Sequence, residues 1–206
     1  MKILYGTGNP AKLEAMRETL SGLDIELLGL SDMDGVFPHK LIEIDESMPD
    51  ALGNARAKAR AYFDKYHMPV FSCDSGLHLG GVSDAEQPGV HVRRVGGKSL
   101  TDDEMLEHYS GIAARHGGSV RARYHNAIWL IMGDGREFFR DDEAIYGREF
   151  LLVAKPHEKR VKGFPLDSIS VDERSGAYYY DLPHKSGVAG TMKSAFREFF
   201  LMHVIG

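Results

Sequence analysis

Residues 3–12 read Ile3-Leu4-Tyr5-Gly6-Thr7-Gly8-Asn9-Pro10-Ala11-Lys12. The apolar start of this stretch is typical of a short buried strand that ends at Gly6. Apolar residues then recur at Leu13, Met16 and Leu20, which is the spacing of one helix face. We therefore expect a helix over residues 10–21, with Pro10 in the first turn, where proline is tolerated.

The turn between this strand and helix has the features of an anion site. Free backbone amides at a helix N-terminus point toward a bound phosphate, and the helix dipole adds favourable partial charge. Gly6 and Gly8 permit a close approach, Asn9 offers side-chain donors, and Lys12 adds a positive charge one turn into the helix. The spacing is neither that of the P-loop nor that of the dinucleotide glycine pattern. On these residues alone, a phosphate site and an ordinary turn with a solvated lysine are both open.

Farther along, strands and helices alternate and then strands cluster in the middle of the chain. Periodicity, a capping-box pattern at 101–104 and a hairpin signal at 133–135 predict helices at 50–66, 101–116 and 192–203, and strands at 70–73, 120–132, 136–146 and 149–154. We therefore expect an α/β fold whose mixed central sheet is flanked by helices. We also expect a single domain over residues 1–206, with two lobes and a substrate cleft between them.

Composition and charge exclude several classes of protein. The 206 residues carry a formal net charge of −5, which argues against binding of a nucleic acid polymer, because neutralising its backbone requires a dense basic surface. The longest apolar run, residues 127–132, is far shorter than the roughly 20 residues that span a membrane. The single cysteine, Cys73, cannot form an internal disulfide, a pattern typical of a reducing compartment. We therefore expect a cytoplasmic protein without a membrane partner.

Asp74 follows the predicted strand at 70–73 and precedes Ser75 and Gly76. A carboxylate at the carboxyl end of a strand lies where open α/β sheets bind their ligands. There it can hold Mg²⁺, which takes one or two carboxylates plus phosphate oxygens, or it can orient and deprotonate a water. The alternative on the same residues is a turn aspartate that caps local amides.

Four short motifs occur in a fixed order in the first two thirds of the chain. They are Thr7-Gly8-Asn9 with Lys12, Asn54-Ala55 with Lys58-Ala59, Asp74-Ser75-Gly76-Leu77, and Pro88-Gly89-Val90 with Arg94. Together they resemble the inosine/xanthosine triphosphate pyrophosphatase family, well over roughly residues 1–135 and loosely beyond. The resemblance implies a dimeric, Mg²⁺-dependent enzyme that cleaves ITP, dITP or XTP to the monophosphate and pyrophosphate. Such an enzyme clears deaminated purines from the nucleotide pool.

The resemblance also implies a role for each matching residue. Asp74 would be the metal ligand and proton acceptor, and the triphosphate would be held by the N-terminal loop and Lys58. Ser75 would contact the substrate, and Arg94 would lie in the active-site cleft. The substrate-binding residues so implied are Thr7, Gly8, Asn9, Pro10, Ala11, Lys12, Lys58, Ser75, Arg94, Phe164, Asp167 and Lys185.

The last three of these residues would recognise the base. The stretch Gly163-Phe164-Pro165-Leu166-Asp167 partly matches the family's Phe-Gly-Tyr-Asp segment, in which Phe164 would stack on the base with Asp167 close by. Lys185 is similar to the lysine that precedes the family's Ser-His-Arg element and helps to read the 6-oxo group of the purine. The Ser-His-Arg element itself is not found.

The chain departs from the family's pattern where the metal is bound. The family has a glutamate immediately before the Asn-Ala pair, and that glutamate binds the metal, whereas this chain has Gly53. The acidic residue that usually precedes Asp-Ser-Gly is replaced by Cys73. Asp50 lies three residues before Gly53, on the same face of the predicted helix, and is the candidate substitute ligand. Glu46 is a more distant candidate.

Three functions are therefore open. The first is an active pyrophosphatase for deaminated purine triphosphates, in which Asp74 activates the attacking water. The second is a nucleotide-binding protein that has lost catalysis, with Gly53 as the cause. The third is a pyrophosphatase of the same scaffold for another nucleotide, given the altered residues 163–167. The joint presence of the N-terminal loop, Lys58 and Asp74 favours the first.

Overall fold

The structure, a computed structural model, describes residues 1–33, 42, 44–182 and 186–205. These residues form two compact units. Unit 1 comprises Met1–Ser75, Asn126–Tyr146 and Gly190–Gly206, and unit 2 comprises Gly76–His125 and Gly147–Ala189. In the part of the chain that is described, no helix is both long enough and apolar enough to cross a membrane.

The predicted helices and strands occur in the predicted order within the described residues, together with four short strands that the sequence analysis did not predict, and the last helix begins six residues earlier than predicted. They are β1 (Lys2–Tyr5), α1 (Pro10–Leu20), β2 (Glu26–Leu28), α2 (Ala51–Tyr66), β3 (Val70–Leu79), β4 (Arg94–Val95), β5 (Lys98–Ser99), α3 (Asp102–Arg115), β6 (Ser119–Ile131), β7 (Glu137–Arg140), β8 (Phe150–Val153), β9 (Ser170–Val171) and α4 (Ser186–Phe200). The main sheet has the order β2-β1-β3-β6-β8-β9, and β7 also pairs with β6. β1 is parallel to β2 and β3, whereas β6, β7, β8 and β9 pair antiparallel. The predicted mixed α/β fold is confirmed.

Unit 1 has an apolar cluster on each face of β1. Ile3 and Tyr5 pack in one cluster with residues of α1 and α4, and Leu4 packs in the other with Ala59 and Tyr62 of α2. Successive side chains of a strand point to opposite faces, so a strand covered by helices on both faces is apolar at every position. This is why the run Ile3 to Tyr5 predicts β1 correctly.

Unit 2 has a core of its own, which α3 covers. Met105, Tyr109 and Ile112 of α3 pack in one cluster with Leu152 of β8. The capping box at the start of α3 is present, because Thr101 and Glu104 each accept a hydrogen bond from the other's backbone amide. The predicted start of this helix is therefore confirmed.

Two strand boundaries differ from the prediction. β3 does not end near Cys73 but continues to Leu79, so Asp74-Ser75-Gly76 lies inside a strand and is not a turn at its carboxyl end. The reason is the alternation of buried Leu77 and Leu79, which continues the strand past small residues that are typical of turns. β7 ends at Arg140, because the Asp142 carboxylate accepts a hydrogen bond from the amide of Ala144 and starts a turn.

Candidate active site

Lys58 lies between two carboxylates in unit 1. Its Nζ is 2.9 Å from Oδ1 of Asp74 and 3.4 Å from Oε2 of Glu46. The side chains of Lys58 and Asp74 are only 13% and 14% exposed, whereas that of Glu46 is 42% exposed. A charge so shielded from water is tolerated only when it is paired with an opposite charge. The positive charge of Lys58 therefore allows the carboxylates of Asp74 and Glu46 to lie close together.

The elements of unit 1 explain how this group is assembled. Val70 of β3 packs on α2 in the same cluster as Ala59, and Asp74 lies four residues farther along the strand, on the same face by alternation. Lys58 precedes the buried Ala59 on α2 and reaches this face. The motif residues Lys58 and Asp74, which are 16 positions apart in the chain, therefore meet in unit 1. Their expected roles toward the phosphates and the metal stay predictions.

Cys73 cannot replace the second acidic residue of the family's motif. Its side chain packs against the apolar cluster that also holds Tyr5, not beside Lys58. Burial raises the pKa of the Cys73 thiol to about 12, although the charges of Lys12 and Lys58 act in the opposite direction. The thiol is thus protonated and neutral near pH 7. The charges of Lys12 and Lys58 both act on the Cys73 thiol, so both lysines lie within electrostatic range of Cys73 on β3.

The N-terminal loop is a capped helix start rather than a row of free amides. Asn9 is the N-cap of α1, and its Oδ1 accepts from the amides of Ala11 at 2.9 Å and Lys12 at 3.4 Å. Oγ1 of Thr7 accepts from the amide of Asn9 at 3.2 Å. The side-chain oxygen of Asn9 thus serves as the helix cap, and the expectation that its side-chain NH2 group donates to a phosphate stays a prediction. Pro10 occupies the first turn, as predicted.

The two glycines of this loop have different surroundings. A Cβ on Gly6 would lie 2.4 Å from Oγ of Ser72 and 2.5 Å from the ring of Tyr62, so packing requires glycine there. A Cβ on Gly8 would meet no described atom within 4 Å. Gly8 therefore leaves open space beside the backbone, which is the property of a glycine that a ligand approaches closely.

Ser75, expected to contact the substrate, is held within unit 1. Its Oγ donates to Oδ1 of Asn126 at 2.7 Å, and Nδ2 of Asn126 donates to the carbonyl of Ile145 at 2.7 Å. Sequence reasoning missed Asn126. The signal that could have identified it is a lone amide directly before the apolar run 127–132 of a predicted strand.

Asp50 does not lie on the helix face where the sequence places it. It is the N-cap of α2, outside the helix, and its Oδ1 accepts from the amide of Gly53 at 2.7 Å. A Cβ on Gly53 would lie 2.8 Å from Cβ of Met48, so the room for the family's glutamate is already filled. Glu46, expected to be more distant, is the acidic residue that shares Lys58 with Asp74.

The donor chemistry of this group fits a magnesium ion that also binds phosphate. Within the described ranges, no three His, Cys, Asp or Glu residues converge into a complete metal site. Mg²⁺ commonly takes only one or two carboxylates from the protein and completes its shell with substrate phosphates and water. Asp74 and Glu46 provide that number.

The remaining predicted residues lie in unit 2 or outside the described residues. Arg94 is exposed on β4, which among the described strands pairs only with β5, whereas its neighbour Arg93 contacts Asp102 at 2.8 Å. Phe164 and Asp167 share one 3-10 turn, in which the amide of Asp167 donates to the carbonyl of Phe164 at 3.3 Å. Lys185 is outside the described residues.

Leu166 explains part of the departure from the family's base-binding segment. This residue and the neighbouring Ile169 are buried in the core of unit 2, while Phe164 and Asp167 are partly exposed. The 3-10 turn therefore leaves Phe164 and Asp167 partly exposed and buries Leu166 in the core of unit 2.

Comparison with known proteins gives consistent matches. The family model described as Ham1 family matches residues 3–169. A Porphyromonas gingivalis protein named dITP/XTP pyrophosphatase is 30% identical over 142 residues, which are 67% of this chain and 67% of that protein. An Aquifex aeolicus protein of the same name is 36% identical over 94 residues, which are 46% of this chain and 42% of that protein. The chain thus matches between about two fifths and two thirds of the length of these relatives.

Solved structures extend the likeness of the fold to nearly the whole chain. The Staphylococcus aureus Ham1 protein superposes with a TM-score of 0.69 at 16% identity, covering 97% of this chain and 98% of that chain. A HAM1 protein from Coxiella burnetii gives a TM-score of 0.69 at 22% identity, covering 98% of this chain and 95% of that one. At such low identity these likenesses concern the fold.

Proposed function

Because this chain belongs to the Ham1 family, we propose that it hydrolyses the deaminated purine triphosphates ITP, dITP and XTP to the monophosphate and pyrophosphate. The family resemblance inferred from the four sequence motifs is confirmed. The names of the Porphyromonas gingivalis and Aquifex aeolicus relatives support this substrate class. The observation that carries the proposal is the shielded ion pair of Lys58 with Asp74, whose side chains are only 13% and 14% exposed.

The phosphates are bound at the N-terminal loop. Lys12 and Lys58 offset the charge of the triphosphate, and the open side of Gly8 admits the phosphate oxygens to the backbone. When the substrate arrives, Lys58 exchanges its contact with Asp74 for a contact with phosphate. The Asp74 carboxylate then accepts the proton of the water that attacks the phosphoanhydride. Both lysines stabilise the negative charge that develops on the leaving pyrophosphate.

Mg²⁺ would support this reaction, and Asp74 would hold it together with phosphate oxygens of the substrate. When bound, it polarises the phosphoryl group and offsets negative charge. The orientation of the water and the removal of its proton are the work of the Asp74 carboxylate. The shielding of this carboxylate strengthens its interactions with charged partners.

The base is recognised by residues that match the family's segment. Phe164 stacks on the purine, Asp167 lies next to it in the same 3-10 turn, and Lys185 reads the 6-oxo group. Ser75 and Arg94 contact the substrate. These assignments are supported by the motif matches and, for Phe164 and Asp167, by their partial exposure.

The decisive experiment measures pyrophosphate release from ITP, dITP, XTP and the four common triphosphates with Mg²⁺. We expect the three deaminated purines to be preferred, and we expect Asp74→Asn to abolish turnover while the triphosphate still binds. Preference for a common triphosphate would instead indicate the same scaffold with another substrate. Turnover that survives in Asp74→Asn would remove Asp74 from the mechanism.

A nucleotide-binding protein without catalysis is the second candidate. The observation that favours it is the packing of Met48 at Gly53, which closes the position of the family's metal-binding glutamate. Tight binding of ITP by a chain that releases no pyrophosphate from any triphosphate would establish this alternative.

We also propose a homodimer in a reducing, cytoplasmic environment. The dimer is supported by the family resemblance, and the environment by a single cysteine that packs against an apolar cluster. Sedimentation at equilibrium should give the mass of two chains, and the mass of one chain would contradict the dimer.

A further inference from the structure

We propose that Asn126 is a positioning residue that acts through Ser75. It takes the only hydrogen of the Ser75 hydroxyl, so Ser75 meets the nucleotide as a hydrogen-bond acceptor and binds the 3′-hydroxyl of the sugar. This inference rests on the proposed function, because it names the part of the nucleotide that Ser75 contacts. None of the four sequence motifs contains Asn126.

The orientation of the Asn126 amide is set by its neighbours in unit 1. One side-chain atom of Asn126 lies 2.7 Å from the carbonyl oxygen of Ile145, and because a carbonyl oxygen only accepts hydrogen bonds, this atom is the donor Nδ2. Sδ of Met192, a weak acceptor, lies 3.2 Å from the same atom. Since Ile145 is fully buried, a reversed amide would set two acceptors against each other away from water. Oδ1 of Asn126 therefore points toward Ser75.

This orientation decides the polarity of the Ser75 hydroxyl. Oδ1 of Asn126 only accepts, so Oγ of Ser75 donates to it across 2.7 Å. A hydroxyl has one hydrogen, so every further hydrogen bond of Ser75 Oγ is one that it accepts. The oxygens of an ionised phosphate are acceptors too. The side chain of Ser75 is therefore a poor phosphate ligand, and it suits a group that carries its own hydrogen.

The alternation of side chains along β3 narrows the choice of that group. Asp74 points to the α2 face of the strand, where it meets Lys58, and the next side chain of a strand points to the opposite face. Ser75 accordingly meets Asn126, which in turn contacts Met192 of α4. The water that Asp74 activates thus lies on the other face of β3 from Ser75.

The sugar of the nucleotide offers Ser75 a hydroxyl. In the proposed binding mode the base belongs to Phe164 and Asp167, and the phosphates belong to the N-terminal loop. Among the sugar hydroxyls, the 2′-hydroxyl is missing from dITP, which is one of the proposed substrates. The 3′-hydroxyl, which ITP, dITP and XTP share, is therefore the group from which Ser75 accepts a hydrogen bond.

The experiment measures the binding of two non-hydrolysable α,β-methylene analogues by isothermal titration calorimetry with Mg²⁺ present. One is the analogue of dITP, and the other is the analogue of 2′,3′-dideoxyinosine triphosphate, which differs from it only by the missing 3′-hydroxyl. We expect wild type to bind the first about three- to tenfold more tightly, which is what one neutral hydrogen bond contributes. Ser75→Ala should abolish this preference and leave the affinity for the dideoxy analogue close to that of wild type.

Ser110→Ala is the matched control for Ser75→Ala. It removes a hydroxyl of α3 that donates to the carbonyl of Glu107, and it should keep the preference of wild type. Equal affinity of wild type for the two analogues would overturn the inference, as would a preference that survives in Ser75→Ala.

A double-mutant cycle separates positioning by Asn126 from a merely structural role. Asn126→Leu keeps a side chain of similar size but removes the acceptor, so it releases the hydrogen of Ser75 and should reduce the preference for the 3′-hydroxyl. In the Ser75→Ala background, Asn126→Leu should not change the ratio of the two affinities further. A structural role would weaken the binding of both analogues equally, so a folded Asn126→Leu with the wild-type ratio would overturn the inference. Asn126→Asp keeps an oxygen that accepts from Ser75 and should retain the preference, and its loss there would also contradict the role of Asn126.

The failure of the proposed function would look different. If wild type hydrolyses none of the triphosphates but shows a preference for the 3′-hydroxyl that depends on Ser75 and Asn126, the inference is supported and the proposed reaction is refuted. If wild type hydrolyses ITP and binds both analogues equally, only the inference is overturned. A wild type that neither binds the analogues nor hydrolyses the triphosphates would overturn both.

Discussion

Gly6 and Gly8 stand two positions apart in the N-terminal loop, yet only one of them is required by packing. We expect Gly6→Ala to lower the free energy of unfolding by about 1–3 kcal/mol, because its Cβ would press on Ser72 and Tyr62. Gly8→Ala should change that free energy by less than about 0.5 kcal/mol, because its Cβ enters open space. Urea unfolding of both variants checks the difference, which equal losses would contradict.

The same pair separates a binding role from a structural one. In the proposed binding mode, the methyl group of Gly8→Ala stands where the phosphates approach, so we expect this stable variant to show a KM for ITP several-fold above that of wild type. An unchanged KM would mean that the phosphates do not pass beside Gly8.

Which residues belong to the candidate site was partly predictable from the sequence. Lys58 and Asp74 are found from motif order, because their spacing from neighbouring motif residues is preserved. Glu46 was named from the sequence only as a more distant candidate, because its contact with Lys58 depends on how Met48 packs beside Gly53. Packing of that kind depends on the three-dimensional path of the segment, which has no regular periodicity.

At the scale of elements, periodicity predicts α1, α2 and α3 to within a residue, but it predicts the start of α4 and the ends of strands less well. The span of α2 agrees with its apolar spacing to within a residue, because a helix face repeats over four turns. β3 was predicted too short because Ser75 and Gly76 are typical of turns, and only the burial of Leu77 and Leu79 shows that the strand continues. A strand gives few residues per face, so one turn-like pair is enough to mislead.

The N-terminus of α2 offers a test of Asp50 as a cap rather than a ligand. We expect Asp50→Ala to lower the free energy of unfolding by about 1 kcal/mol, because the amide of Gly53 loses its acceptor. Asp50→Asn keeps an oxygen acceptor and should stay close to wild type in stability. Both variants should bind Mn²⁺ like wild type when the non-hydrolysable α,β-methylene analogue of ITP is present. Weaker Mn²⁺ binding by Asp50→Asn would restore Asp50 as a metal ligand.

At the scale of the whole molecule, the chain forms two units that have separate cores, but two of its strands belong to both units. β3 and β6 each begin in one unit and end in the other without a break. Neither unit therefore contains a complete set of its own strands. We propose on this ground that residues 1–206 fold as a single cooperative domain, as the sequence leads us to expect.

Trp129 makes this proposal measurable, because it is the single tryptophan and lies in unit 1. Leu152 is fully buried in the core of unit 2, and Leu152→Ala should cost about 2–5 kcal/mol. If the domain is cooperative, this change moves the urea transition of Trp129 fluorescence to lower urea, and the transition coincides with that of circular dichroism. Val161→Ala, a truncation at an exposed position of unit 2, should move it little. A Trp129 transition that stays in place in Leu152→Ala would mean that the two units unfold independently and are two domains.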